Sequence, residues 1–474
     1  MQLSKEQPVR RDVNPTAVLL IVCAGVVVVT IDLFIVNIAF PAIARSFGGT
    51  SLSTLSWVLN AYAIVFAALL IPAGRLADRS SRKGGFLLGV AVFTVASALC
   101  AAANGVGFLV AARILQAAGA ALLMPSSLGL LLAAYPPEGR TRAVRIWAAT
   151  SGVAAALGPV FGGLLVSANW RWIFLVNLPI GIAALVAGRR FLPATPRVPE
   201  ALPDLVGAGV LMLGVASLTL GLVKAPEWGW TAGRTELSLI GAALLLVFFF
   251  LRSARHASPI LELDLFRVRA FAVSTGSMFL FSAAFAATLL SVLTWAQSAW
   301  GWSALKTGLA FAPGPLMVPL LAIGAGKLAG RVGPGVLATT GCLAFAGGML
   351  ALTASVGLDA DYVTGFLPGT ILTGVGVGLA IPTLTATAAT SLPAQRFATG
   401  SAVITMSRQV GYTVGVAILV AVLGRPHTAP DRLVAYRHGW ETIAAIAFAA
   451  ALSSLALMRR RAVLAPPELA SDRV

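Results

Sequence analysis

Charge is what this chain has least of: only 11% of its 474 residues are Asp, Glu, Lys or Arg, against about 25% in a soluble globular domain. Water is therefore not the main solvent of its surface. Apolar stretches recur from end to end, leaving no length for a soluble catalytic domain. Cysteine and histidine are equally scarce. Cys23, Cys100 and Cys342 each lie inside an apolar run, without the spacing of a zinc or disulfide framework, and read as small packing residues. His256, His427 and His438 fall between the runs. With no cluster of His, Cys, Asp or Glu inside the runs, no metal, no cofactor and no enzymatic site is expected. Acidic residues are half as many as basic ones, 17 against 34. That balance would suit a nucleic-acid binder, but the bases are scattered through short loops without interleaved aromatics, so nucleic acid is not an expected partner.

What the chain has instead is hydrophobic length. It is 58% hydrophobic, in runs of about 20 residues that suffice to cross a hydrocarbon core of about 30 Å. These runs predict an all-α polytopic membrane protein with fourteen spans. Six fall in an N-terminal bundle, 17–191, and six in a C-terminal bundle, 270–458. A linker, 192–269, holds a middle pair, Leu205 to Val223 and Leu237 to Leu251, and the tails are 1–16 and 459–474. Lys5, Arg10 and Arg11 precede the first run as they would in a secretory signal. The run from Ala17 to Ala44 is too long for one and lacks a small-residue cleavage pattern, so it reads as a retained helix.

Loop charge tests this count, because cytoplasmic loops carry the Lys and Arg excess. With fourteen spans and the N-terminus inside, the inward segments hold 24 basic residues and the outward ones eight. Both termini are thus expected in the cytoplasm, in a multi-pass protein of the plasma membrane. A short internal repeat points the same way: Gly74-Arg75-Leu76-Ala77-Asp78-Arg79 is echoed by Gly326-Lys327-Leu328-Ala329-Gly330-Arg331 at the corresponding place of the second bundle.

Only three charges are embedded in the runs. Asp32 is the one acid deep within a span, where a charge costs about 2.5 to 3.5 kcal/mol on insertion scales. A carboxyl whose surroundings alternate between dry and wet loads and releases protons on opposite sides, because burial favours its protonated form. A permanent structural ion pair is the alternative. Arg113, the only base embedded in the first six spans, is its candidate partner, in a structural or a proton-relaying role. Arg408, in the fifth span of the second bundle, reads as structural, snorkelling towards the inner helix end. The fifth span also carries Gly152, Gly158, Pro159, Gly162 and Gly163, small residues that let helices approach closely and a proline that bends one.

Taken together these stretches resemble the major facilitator superfamily and, within it, the fourteen-span drug:proton antiporters. Asp32-Leu33-Phe34-Ile35-Val36-Asn37-Ile38-Ala39-Phe40-Pro41 is similar to that branch's first-helix signature, whose acid is implicated in proton coupling. Trp57 and Tyr62 match the aromatic pair that opens its second helix. Gly74 to Lys83 resembles the superfamily's loop motif, and the resemblance implies a cytoplasmic gate formed by Gly74, Asp78, Arg79, Arg82 and Lys83, with Ser81 in place of a usual glycine. Arg113-Ile114-Leu115-Gln116-Ala117-Ala118-Gly119 resembles the fourth-helix motif linked to proton transfer. Gly158-Pro159-Val160-Phe161-Gly162-Gly163 is similar to the antiporter motif of exporters, with Ala154 where another glycine is usual. Trp170-Arg171-Trp172-Ile173-Phe174 with Asn177, and Arg408-Gln409-Val410-Gly411, also look like segments of the branch. The implied fold is two six-helix bundles around a central cavity, with the additional pair between them.

The expected function is proton-coupled export of small amphipathic or cationic organic compounds by a monomer, with protons, substrate and lipid as its partners. Asn37, Trp57, Tyr62, Gln116, Trp295, Gln297, Arg408 and Tyr412 are the candidates for the cavity wall, which is expected to be largely apolar with a few polar groups. A dedicated exporter of one metabolite or antibiotic shares every motif. Proton-coupled uptake is disfavoured by the antiporter motif, and a receptor by the lack of a sensing domain.

Overall fold

The computed structural model describes residues 14–194, 203–393, 396–426 and 428–458. Lys5, Arg10, Arg11, Arg197, His427, Arg459, Arg460, Arg461 and Arg473 lie outside the described residues, as do the tail 459–474 and most of the tail 1–16. In hydrocarbon each backbone N–H and C=O must find its partner within its own segment, and the helix achieves this. The described elements are accordingly helices.

The N-terminal bundle consists of α1 (Pro15–Ser46), the short α2 (Leu52–Leu55) leading into α3 (Trp57–Ser80), α4 (Arg82–Ala101), α5 (Val106–Ala134), α6 (Pro137–Ala168), and α7 (Trp172–Leu175) leading into α8 (Asn177–Phe191). The middle pair is α9 (Leu205–Trp228) and α10 (Gly233–Arg255). The C-terminal bundle follows with α11 (Arg269–Ser298), α12 (Ala304–Phe311) leading into α13 (Pro313–Val332), α14 (Pro334–Ser355), α15 (Leu367–Thr390), α16 (Phe397–Leu423) and α17 (Ala429–Leu455). Local chemistry sets the first boundary. The Asn14 side chain accepts the N–H groups of Thr16 and Ala17, and Pro15 takes the first helical position, where its missing donor costs nothing.

Among the described residues twelve stretches are long and apolar enough to cross a membrane, two fewer than expected. The difference lies at α6 and α17. α6 carries Glu138, Arg140, Arg142 and Arg145 in its first part, and the apolar stretch found among its described residues is the shorter Val153–Ala168. Asp431, Arg432, Arg437, His438 and Glu441 dilute the first half of α17. The middle helices α9 and α10 are both among the twelve stretches. The outer member of this pair presents Leu237, Ile240 and Leu244 at 74%, 58% and 65% exposure, a surface suited to acyl chains and not to water.

The two bundles meet along α3 with α16, α6 with α12 and α13, and α1 with α11. Against this seam lies α9, which touches both α3 and α16, while α10 packs on α9. The repeated hexapeptides occupy equivalent places, at the ends of α3 and α13, the second long helix of each bundle.

Candidate functional site

The centre of the N-terminal bundle is polar. Asp32 on α1 and Arg113 on α5 are both without exposed surface, and the Arg113 Nη1 donates to Asp32 Oδ2 in a direct ion pair. Arg113 and Gln116 stand three residues apart on α5 and therefore on one face. Gln116 Nε2 donates to the other carboxylate oxygen at 2.9 Å, and Asn177 Nδ2, at the start of α8, donates to that same oxygen at 3.2 Å. Ser97 Oγ on α4 accepts from both amides, at 2.9 and 3.3 Å. The guanidinium is held in turn by the Val58 carbonyl at 3.1 Å and Gln116 Oε1 at 2.6 Å, and it lies 4.1 Å from the centre of the Tyr62 ring. Each charge would be costly here alone; as a hydrogen-bonded pair they neutralise each other. Ser97 and the structural part of Asn177 are members of this centre that spacing did not reveal. Their signal was a polar residue inside an apolar run, which many packing serines share.

A small, narrow cavity lies next to this centre, between the bundles. Leu33, Phe34 and Asn37 of α1 line it, with Leu59, Asn60 and Ala63 of α3, Phe285, Ala286 and Leu289 of α11, and Tyr412, Thr413 and Val416 of α16. Phe34, Phe285 and Tyr412 form a chain of rings across the seam, with centroids 6.0 and 6.1 Å apart. Of the candidates for its wall, Asn37 and Tyr412 stand on it. Tyr62 and Gln116 belong instead to the buried charge centre. Trp295 packs against Tyr436 and Trp440 in an aromatic core of α11 and α17, Trp57 packs partly buried against the hydrophobic core, and Gln297 Nε2 reaches across the seam to the Ile38 carbonyl at 3.0 Å. Asn60, unforeseen, is 1% exposed and has neither end of its amide partnered among the described residues.

The glycines of α6 mark close approach. A Cβ on Gly158 would stand 2.8 Å from Phe34 Cβ, and one on Gly162 would meet Ile38 and Ile35 at 2.6 and 2.7 Å. Towards the other bundle, a Cβ on Gly163 would fall 2.5 Å from the Ala304 carbonyl oxygen, and one on Gly308 would fall 2.3 Å from that of Pro159. Gly152 lies on the same helix. These contacts close the seam at the end of the molecule that carries residues 47–51 and 299–303. At that end Glu227 of α9 accepts from Ser53 of α2, pairs with Lys224 at 2.9 Å and pairs with Arg425, just past α16, at 2.9 Å.

The opposite end is the basic face. Asp78 pairs with Arg82 Nε at 2.5 Å, and Arg82 also reaches the Gly129 carbonyl of α5. Lys83 caps the end of α8 through the carbonyls of Arg189 and Leu192, at 3.0 and 2.8 Å. Arg79 is exposed, and Gly74 approaches Pro125 of α5, where a Cβ would come within 3.2 Å. The link from this motif to the segment between the bundles is made by Arg75, through Ser258 at 2.5 Å and Glu262 at 3.3 Å. Farther along, Asp204 at the head of α9 is bridged by Arg252 of α10 at 2.7 Å and accepts the Gly207 N–H at 2.8 Å. Burial works to raise the Asp204 pKa, but these hydrogen bonds outweigh it and hold the carboxyl below its usual 3.8.

Residues 22–416 match the profile of the Major Facilitator Superfamily. The chain belongs to this superfamily. It is a transport protein and not an enzyme, as the curated relatives agree. It is 32% identical over 443 residues to the methylenomycin A resistance protein of Streptomyces coelicolor, covering 93% of this chain and 90% of that one. It is 34% identical over 410 residues to the tetracenomycin C resistance and export protein of Streptomyces glaucescens, covering 86% and 75%. The multidrug resistance protein Stp of Mycobacterium tuberculosis is 32% identical over 414 residues, with 86% and 76% covered. Among solved structures, a POT peptide transporter crystallised with sulfate superposes with a TM-score of 0.69 at 18% identity, over 93% of this chain and 94% of that one. At that identity the likeness is one of fold.

Proposed function

We propose that the chain is a proton-coupled antiporter that exports small amphipathic, antibiotic-like compounds through alternating access of the central cavity. The observation that carries this reading is the buried Asp32–Arg113 pair directly behind the cavity wall. Consecutive residues of a helix diverge by about 100°, so Leu33 faces the cavity while Asp32 faces Arg113. Protonating Asp32 would free the guanidinium and loosen α1 from α5; deprotonation would draw them together. Substrate and proton then communicate through the pose of α1 and not by direct competition for the carboxylate. Gly158 and Gly162 carry that pose into α6, and Gly163 and Gly308 carry it across the seam.

In this reading α6 and α17 also cross the bilayer, giving fourteen segments. Their support is their packing: α6 lies against α1 and α12, and α17 against α11 and α14. The basic face is cytoplasmic, the membrane is the plasma membrane, both termini are inside, and a single chain forms the whole pathway. The conformation described, closed at the opposite face, is then closed to the outside. Relatives named for one antibiotic stand beside one named for multidrug resistance, which keeps a single-compound exporter as the second reading.

Proteoliposomes holding an imposed pH gradient test both. Uphill movement of several unrelated amphiphiles, abolished by a protonophore, supports the polyspecific antiporter. Movement of one compound alone supports the dedicated exporter, and accumulation indifferent to the gradient contradicts proton coupling.

A further inference from the structure

Arg408 is a cation in search of a partner. It is the twelfth residue of α16, about 16 Å from the start of the helix at 1.5 Å per residue, so it sits at the depth of the cavity and not at a helix end. The candidate spans of its bundle, Arg269–Ser298, Ala304–Leu321, Pro334–Ser355, Tyr362–Thr390 and Thr399–Leu423, contain no Asp or Glu. The one acid embedded in the other bundle is already bound to Arg113. Among the described residues Arg408 makes no ion pair, and its Nε is buried without a hydrogen-bond partner.

Its neighbours share the condition. Gln409 is 1% exposed, and both ends of its amide lack partners among the described residues. One turn farther along the same stripe, Tyr412 and Thr413 line the cavity. The unpartnered Asn60 amide faces this stripe from α3. The wall therefore offers several hydrogen-bonding groups, tilted aromatic rings and no carboxylate, with one positive charge a helical turn away at Arg408. A cationic substrate would find there a like charge and nothing to neutralise its own; an anion would complete an ion pair that the protein leaves open.

We propose that the substrates carry an anionic oxygen, a carboxylate or an ionised phenol on an aromatic or conjugated frame, and that Arg408 binds it. The Gln409 and Asn60 amides receive the neutral carbonyl and hydroxyl groups of the same molecule. This rests on the export reading for direction and coupling, but the binding site stands independently of them.

Two measurements keep the two claims apart. The first is equilibrium binding of 2-naphthoate, anthraquinone-2-carboxylate and resorufin to the purified protein, with ethidium as the cationic probe, for wild type, Arg408→Gln and Arg408→Lys. The expected result is anion binding that weakens at least about tenfold in Arg408→Gln, as loss of a charge-assisted partner implies, and is largely kept in Arg408→Lys. Ethidium binding should stay level or strengthen in Arg408→Gln. Equal anion affinity in wild type and Arg408→Gln overturns the proposal, as does binding of ethidium alone. The second measurement is transport of the same probes in proteoliposomes: anions that bind at Arg408 but do not move uphill defeat the export reading and leave the anion site standing.

Discussion

Asp32 and Leu33 are neighbours in the chain and face opposite worlds: the leucine lines the cavity between the bundles, while the aspartate, without exposed surface, is enclosed by Arg113, Gln116 and Asn177. In the proposed mechanism the coupling group is thus one residue away from the substrate path but not on it. In that mechanism coupling passes through the helix that carries both.

The pair makes a prediction about stability. Asp32→Asn leaves a guanidinium buried opposite a neutral amide, and removing one member of a buried pair typically costs about 3 to 5 kcal/mol. Arg113→Gln in the same chain removes the orphaned charge. The single variant should therefore melt well below wild type and the double variant should recover most of that loss, as read by thermal unfolding in detergent. A double variant no more stable than the single would show that the two charges do not depend on each other.

The seam glycines predict a steric effect. Gly308→Ala places a Cβ 2.3 Å from the Pro159 carbonyl oxygen, a contact that only movement of α12 from α6 relieves. Overpacking of this kind costs about 1 to 3 kcal/mol. The conformation closed at the opposite face should lose population, and a cysteine placed at Leu59 on the cavity wall should label faster from that face. Unchanged labelling would mean that the α6–α12 contact does not hold the seam shut.

Glu227 joins three parts of the fold: α2 through Ser53, its own helix through Lys224, and the end of α16 through Arg425. Glu227→Gln keeps the shape and removes the charge that two cations share. We expect the same gain in labelling at Leu59, severalfold in size, with little change in melting temperature. High salt should mimic the variant in part, since Arg425 is 58% exposed and its pairing is screened.

Asp204 predicts a pH dependence confined to acid. Its folded pKa lies below the usual 3.8, so its contribution to stability is complete above 3.8 and is lost as pH falls through the depressed value. The melting difference between wild type and Asp204→Asn should be constant at neutral pH and shrink only below 3.8. A difference that changes between pH 5 and 8 would assign the effect to another group.

Much of this architecture was legible before any coordinates, because apolar length and loop charge report directly on membrane crossing. The partnership of Asp32 and Arg113 was legible for a similar reason: in an apolar run a charge has few places to go, and the N-terminal bundle holds one of each sign. The count of spans was less secure where charges invade a helix, as they do in the first half of α17. The aromatic residues proved poor guides to the cavity. Trp and Tyr favour buried and interfacial places alike, and nothing in their spacing separates Trp295, in the α11–α17 core, from Tyr412, on the cavity wall. The links made by Glu227 and Arg75 were beyond reach, since their partners Ser53 and Glu262 stand 174 and 187 residues away. Asn60 went unremarked, and Gln409 was noticed only as part of a family-like segment, because an unpartnered amide is recognisable only once every neighbour is placed.

The most direct test of the account is proton-driven transport in proteoliposomes with wild type and Asp32→Asn, reconstituted at equal amounts and checked for folding by size exclusion. The account predicts uphill substrate movement in wild type that collapses with the pH gradient, and in the variant only downhill equilibration. Undiminished uphill transport by Asp32→Asn would contradict it.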